Sequence, residues 1–281
     1  MPGFRTTRAV RAAAAALLVA ATLTACGSGS APAMDNPYGL VQPGTITAAV
    51  STDQPPFASA GTGGQPQGFI VDLTDALAKR LGLKVVYKAT TVTAALQGLT
   101  AGQYDLAASG LGVTADRQRQ VSFTDDLFWS TTALLTKVGA PTRLSGYVGK
   151  HVGVVTGAVQ QEFIKDQMSG AVETDFAGET AAVTQLLSGD LDAFVVGGPD
   201  AERYVKQYPG LTISYSAPVD HPTAMAVPKP DTALLKAIDT QLAAMVADGT
   251  FLKIYRTWFT EPPQPQLLAV WPALATQVAA K

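Results

Sequence analysis

A chain of 281 residues with 47% hydrophobic and only 15% charged residues has the apolar content for a sizeable core. Its formal net charge of −2, with no Lys/Arg cluster after the leader, excludes a nucleic-acid surface. Cys26 is the only cysteine, which excludes an internal disulfide.

Residues 1–25 read as a secretory signal. Arg5, Arg8 and Arg11 precede the apolar run 12–23, which is too short and too alanine-rich for a good membrane span. The ending Leu23-Thr24-Ala25-Cys26 resembles a bacterial lipobox, in which the cysteine becomes a lipidated N-terminus. Residues 26–43 are rich in Gly, Ser, Ala and Pro and read as a flexible tether. No later stretch is long and apolar enough to cross a bilayer. The expected location is extracytoplasmic, held at the cell membrane by lipid on Cys26 alone.

Strand-like and helix-like runs then alternate. TITAAV (45–50), LKVVYK (83–88) and YDLAAS (104–109) read as strands, and VDLTDALAKRL (71–81) as a helix closed by Gly82. Such alternation predicts a mostly parallel sheet with helices on its faces. TAALQGLTAGQYD (93–105) and TAAVTQLLSGDLD (180–192) share Thr, Ala, Ala, Leu, Gly and Asp at a constant offset of 87 residues. Each copy reads as a helix opened by Thr, closed by Gly and followed by a strand. Two copies suggest two similar α/β lobes, not a solenoid.

The strand after each copy is expected to end in a glycine turn: Ser109-Gly110-Leu111-Gly112 in the first, Val196-Gly197-Gly198 in the second. Ligands of open α/β sheets sit beyond the carboxyl ends of the strands, and glycine lets backbone approach them closely. Two facing lobes would form a cleft there.

Residues 44–259 resemble the bacterial extracytoplasmic solute-binding proteins of family 3, which deliver polar amino acids to ABC importers. The ordered set QPPF (54–57), GFIVDL (68–73), GVTADR (112–117), VSFTDD (121–126), GKHVGVVTGAVQQ (149–161), LLSGDLDAFVV (186–196) and DGTFLKIYRTWF (248–259) carries the resemblance. It implies an α/β, two-lobe periplasmic-binding-protein-like fold of type II, each lobe a mixed sheet flanked by helices. Lobe I would span 44–132 and 223–259, lobe II 138–219, with hinge strands at 133–137 and 220–222. A C-terminal extension, 260–281, follows, whose Leu267, Leu268, Val270, Trp271 and Leu274 are expected to pack back on a lobe. The resemblance also implies a monomer, an ABC permease as partner, and no cofactor or metal.

In this family the arginine of a Thr-x-x-Arg motif grips the ligand's α-carboxylate, and Arg117 holds that place. A guanidinium offers two parallel N–H donors and keeps its charge, while Thr114 would cap the turn that aims it. Carried over in the same way, the pocket would include Ser51, Gln54, Phe57, Val92, Ser109, Gly110, Gly112, Thr156, Gly157, Ala158 and Gly197. Several depart from the family's pattern: Gly197 and Ser51 stand where acids are usual, and Gln54 and Val92 where aromatics are common. Breaking a buried ion pair costs roughly 3–5 kcal/mol. Either another acid meets the ligand's ammonium, or the ligand is a small carboxylate-bearing solute without one. The helix start after Gly197-Gly198 is expected to favour anions.

The rival class is a periplasmic dehydratase of the same fold, resembling cyclohexadienyl dehydratase; a third reading is a ligand sensor without transport. Asp53, Asp125, Asp126, Asp200 and Asp220 are the carboxylates near expected cleft loops, and each also reads as a turn or cap residue. Two separated histidines and no free cysteine make neither a hydrolase triad nor a metal cluster. Binding without catalysis is the reading carried forward.

Overall fold

A computed structural model describes residues 35–217, 221–229 and 232–280. The expected signal, Cys26 and the tether as far as residue 34, and Asp220 lie outside the described residues. Among the described residues no helix is long and apolar enough to cross a membrane. The tether is shorter than expected, because residues 36–42 are already docked. Leu40 is buried, Asn36 bonds the Leu40 backbone in both directions at 2.9 Å, and the Val41 N–H donates to Asp105 at 2.7 Å.

The chain opens with β1 (Thr45–Val50), followed by the small strands β2 (Asp53–Gln54), β3 (Ala58–Ala60) and β4 (Pro66–Gln67). Helix α1 (Phe69–Leu81) starts two residues earlier than expected, since Phe69 and Ile70 join Leu73 and Leu77 on its buried stripe. It ends at Gly82, whose φ of 69° is the left-handed cap a side chain would disfavour. Then come β5 (Lys84–Ala89), α2 (Val92–Thr100), β6 (Leu106–Gly112), α3 (Ala115–Gln120), β7 (Val121–Phe123) and β8 (Phe128–Ser130). The next elements are β9 (Thr132–Lys137), β10 (His151–Val155), α4 (Gln160–Gln167), β11 (Val172–Phe176) and α5 (Glu179–Ser188). After β12 (Ala193–Gly197), α6 (Gly198–Gln207), β13 (Leu211–Ser216) and β14 (His221–Pro228), four helices close the chain. They are α7 (Thr232–Ala247), α8 (Thr250–Trp258), α9 (Pro265–Val270) and α10 (Pro272–Ala279).

Two mixed sheets define two lobes. The first runs β5-β1-β6-β14-β7, with β8 also paired to β14; the second runs β11-β10-β12-β9-β13. In each, three parallel strands are joined by one antiparallel strand that enters directly from the other lobe: β14 in the first sheet, β9 in the second. The chain therefore crosses at Thr131 and again between β13 and β14. Residues 133–137, expected as a hinge, instead pair along their length with β12 and β13, and Leu134 and Leu135 are fully buried. Their unbroken apolar run belongs to a sheet centre, so the crossing precedes them.

Helices α1, α7 and α8 cover one face of the first sheet and α2 the other; α5 and α6 cover one face of the second and α4 the other. The C-terminal extension packs on the first lobe through buried Leu267, Trp271 and Leu274, with Leu268 partly buried. Burial of each leucine contributes about 1.5–3 kcal/mol. Val270, expected to pack with them, is exposed because the short α9 turns it outward.

The internal repeat has a structural counterpart. Asp105 donates its N–H to Thr47 O and accepts the Thr47 N–H; Asp192 does the same with His151, all at 2.7–3.0 Å. Each aspartate thus fixes the start of its lobe's first long strand against the third. The helix starts differ from expectation. Thr91, not Thr93, caps α2 by accepting the Ala94 N–H, and α5 follows Gly178 with no side-chain cap.

Candidate functional site

The stretch 109–112 is not a turn: β6 runs through it to Gly112, because Thr223 and Ala224 of β14 continue the ladder. Its glycines serve close approach instead. A Cβ on Gly110 would lie 2.9 Å from Cγ of Phe57, whose ring packs edge-on to Phe128 at 5.1 Å. This aromatic layer floors a cleft between the lobes with a cavity volume of about 60 Å³.

Of the residues expected in the pocket, Gln54, Phe57, Val92, Gly110, Gly112, Arg117, Ala158 and Gly197 line this cleft. Four do not. Ser109 is buried behind it, its hydroxyl accepting the Ser51 N–H at 2.8 Å, and Ser51 in turn donates its hydroxyl to Asp53. Thr156 is exposed; its carbonyl accepts from the Thr93 hydroxyl and its N–H donates to Phe176 O. Gly157 contributes its carbonyl to Arg117.

Arg117 sits in the first turn of α3, where Thr114 accepts its backbone N–H as the expected N-cap. The side chain is 8% exposed; Nη1 donates to Gly112 O at 2.6 Å and Nη2 to Gly157 O in the opposite lobe. Burial lowers its pKa to about 10, a shift partly offset by Glu162, so it stays a cation at neutral pH. Among the described residues it forms no ion pair. Two carbonyl dipoles hold a full charge that faces the cleft.

The opposite wall was expected only in part: Asp200 and Asp53 are among the carboxylates near expected cleft loops, Glu179 is not. Asp200, in the first turn of α6, and Glu179, at the start of α5, are 5% and 4% exposed and both line the cleft. Each lies 3.3 Å from Nη2 of Arg203, and the Tyr204 hydroxyl donates to Glu179 at 3.0 Å. Asp53 of the first lobe accepts the Glu179 N–H at 3.1 Å, and Arg203 Nε donates back to Pro55 O at 3.3 Å. Asp53 reaches that N–H only because residue 178 is glycine: a Cβ there would sit 2.0 Å from Asp53 Oδ2. Burial, reinforced by Asp53 and opposed by Arg203, raises the Asp200 pKa to about 7. Burial and the neighbouring Asp200 push Glu179 well above its usual range, against Arg203 and Tyr204.

This corrects the expectation of an anion-favouring helix start. The Gly198 N–H is taken by Thr131 O, and the carboxylates beside it make the wall acidic. The acid absent at Gly197 is supplied one helical turn later: the ideal Cβ of Gly197 lies 3.5 Å from Asp200 Oδ2. Both acids carried a readable signal. Glu179 shares the spacing of buried Ala182, Val183 and Leu186, and Asp200 that of buried Ala201 and Tyr204. Asp125 and Asp126 lie elsewhere, Asp125 taking its N–H to Asp239 and Asp126 accepting from Trp129. Gln54 lines the cleft, and its buried Oε1 has no hydrogen-bond partner among the described residues.

Two lobes, two strand crossings and a cleft with opposite charges on its two walls define a two-lobed solute-binding protein. Residues 46–261 match the bacterial extracellular solute-binding proteins, family 3, and the chain belongs to that family. It is 27% identical over 221 residues to the ABC transporter arginine-binding protein 1 of Escherichia coli K12, covering 77% of this chain and 91% of that protein. An ancestral arginine-binding protein solved with glutamine is 33% identical at a TM-score of 0.74, covering 78% of this chain and all of the other. The ancestral amino acid-binding protein AncCDT-1, a precursor of cyclohexadienyl dehydratase, is 29% identical at a TM-score of 0.71, covering 77% and 96%.

Proposed function

We propose that the protein binds a zwitterionic amino acid, or a compound built like one, between its lobes and presents it to an ABC permease. The carrying observation is the pairing of buried charges across one cleft: unpaired Arg117 on the first lobe, Asp200 and Glu179 on the second. The carboxylate of the solute would take the N–H donors of the Arg117 guanidinium that the Gly112 and Gly157 carbonyls leave free, and its ammonium would meet Asp200 and the unpartnered Gln54 oxygen. Bridging both walls, the solute favours the closed arrangement of the lobes. Lobe I then comprises residues 44–130 with 221–259, and lobe II residues 132–217, joined at Thr131 and after Ala217. Lipid on Cys26 would keep the receptor outside the cytoplasm beside its permease, as the periplasmic location named for several relatives suggests. The raised carboxyls of Glu179 and Asp200 would also suit an acid–base enzyme of the dehydratase kind, but the named relatives are binding proteins, which supports binding.

A thermal-shift screen of the unlipidated protein against the common amino acids and non-amino carboxylates tests this reading. A ligand at 100 times its Kd adds about 2.7 kcal/mol, or roughly 5–10 °C for a chain of this size. Shifts confined to amino acids support it. Shifts confined to carboxylates lacking the amine contradict it, and turnover of the hit would move the assignment to an enzyme.

A further inference from the structure

The acidic wall holds more negative charge than its own cation balances. Glu179 and Asp200 share one nitrogen of Arg203, each at 3.3 Å, and Asp53 lies against the Glu179 backbone. Two carboxylates thus share one guanidinium, with a third, Asp53, beside them on the Glu179 backbone and Tyr204 the other titratable group in contact. Two buried carboxylates this close cannot both ionise freely. We infer that the Glu179–Asp200 pair holds a proton while the cleft is empty and releases it to solvent when a cationic group of the solute arrives. Glu179 is then a specificity-determining residue acting through Asp200: it makes recognition of an amine depend on proton release.

The raised pKa of both carboxyls agrees with this geometry. The sign for binding follows. The cation favours the ionised pair, so affinity falls in acid and levels off above the pKa near 7. For one proton, the loss between pH 8 and pH 6 is about tenfold. A solute with a hydroxyl in place of the amine needs no ionised pair, so discrimination between the two shrinks as pH falls.

This inference rests on the amino-acid reading above, and the test separates the two. The probes are L-arginine and L-glutamine, titrated calorimetrically at pH 6.5 and pH 8.5 in phosphate and in Tris. Expected is a buffer-dependent enthalpy at pH 6.5 equal to about three-quarters of a proton released, shrinking towards zero at pH 8.5. Glu179→Gln removes most of that release. A ligand-free arm follows the Glu179 and Asp200 side-chain carboxyl carbons by NMR from pH 4 to pH 9, which reads the wild type even if the variant folds poorly. Binding with no buffer dependence at pH 6.5, or both carboxyls titrating below pH 5, overturns the inference. Silence of both probes at pH 8.5, with a carboxyl still titrating near 7, overturns the amino-acid reading and leaves the proton site standing.

Discussion

The two walls of the cleft solve the same problem, keeping charge out of water, by opposite means. On the first lobe a single guanidinium is held by two backbone carbonyls, with burial lowering its pKa only to about 10. On the second, two buried carboxylates crowd one arginine, and burial raises Asp200 to about 7. The first wall is a fixed charge across the physiological range; the second changes with pH. A receptor built this way would read a carboxylate across the physiological range and an ammonium only when the acids are free to ionise.

The largest expected effect breaks the fixed wall. Arg117→Met removes one partner of a desolvated charge pair, which costs about 2–5 kcal/mol, so affinity for the bound amino acid drops roughly 30-fold to a few thousandfold. Calorimetry checks it, and a loss under threefold would mean that Arg117 serves the fold instead. Asp200→Asn weakens amine-bearing ligands by a smaller factor, about 10- to 100-fold. The same variant removes a group whose raised pKa costs stability. A carboxyl at 3.8 unfolded and about 7 folded favours the folded state fully below pH 3.8 and loses that contribution as pH rises towards 7. Wild type therefore loses melting temperature over that window relative to Asp200→Asn, which melting curves from pH 4 to pH 8 read directly.

Moving the acid sharpens the comparison further. Gly197 has a φ of −63°, and its ideal Cβ meets only ordinary contacts at 3.5 and 3.6 Å, so a side chain fits. Gly197→Asp alone adds a third acid beside Asp200 and binds an amino acid no better than wild type. Gly197→Asp with Asp200→Asn moves the Asp200 carboxylate to the family's usual position, Glu179 staying in place, and recovers most of the affinity lost in Asp200→Asn. Smallest is the loss of the cap that aims Arg117. Thr114→Ala lowers stability by about 1 kcal/mol and affinity by no more than a few-fold, by denaturant melts and calorimetry.

The contrast between the walls also marks what was legible in the sequence. Arg117 could be assigned to the cleft only through the family resemblance of its Thr-x-x-Arg motif, whereas its Thr114 cap followed from local backbone chemistry. The strand limits of TITAAV and the Gly82 cap followed from local chemistry in the same way. The acidic wall draws on β2, α5 and α6, three segments far apart in the chain. Asp200 and Glu179 each look locally like a helix-start residue, and only packing against Arg203 and Asp53 makes them a site. Their places on the buried stripes of α5 and α6 were visible, but a stripe says that a residue is buried and not what it faces. The crossing at Thr131 was missed for a similar reason, since an apolar strand after the crossing reads no differently from one within it.

The most direct measurement is the crystal structure of the protein with the amino acid that gives the largest thermal shift. The expected complex has the solute's carboxylate on Arg117 and its ammonium within hydrogen-bonding distance of Asp200, with Arg203 still between Asp200 and Glu179. A solute whose ammonium lies away from the acidic wall, or whose carboxylate makes no contact with Arg117, would contradict the account.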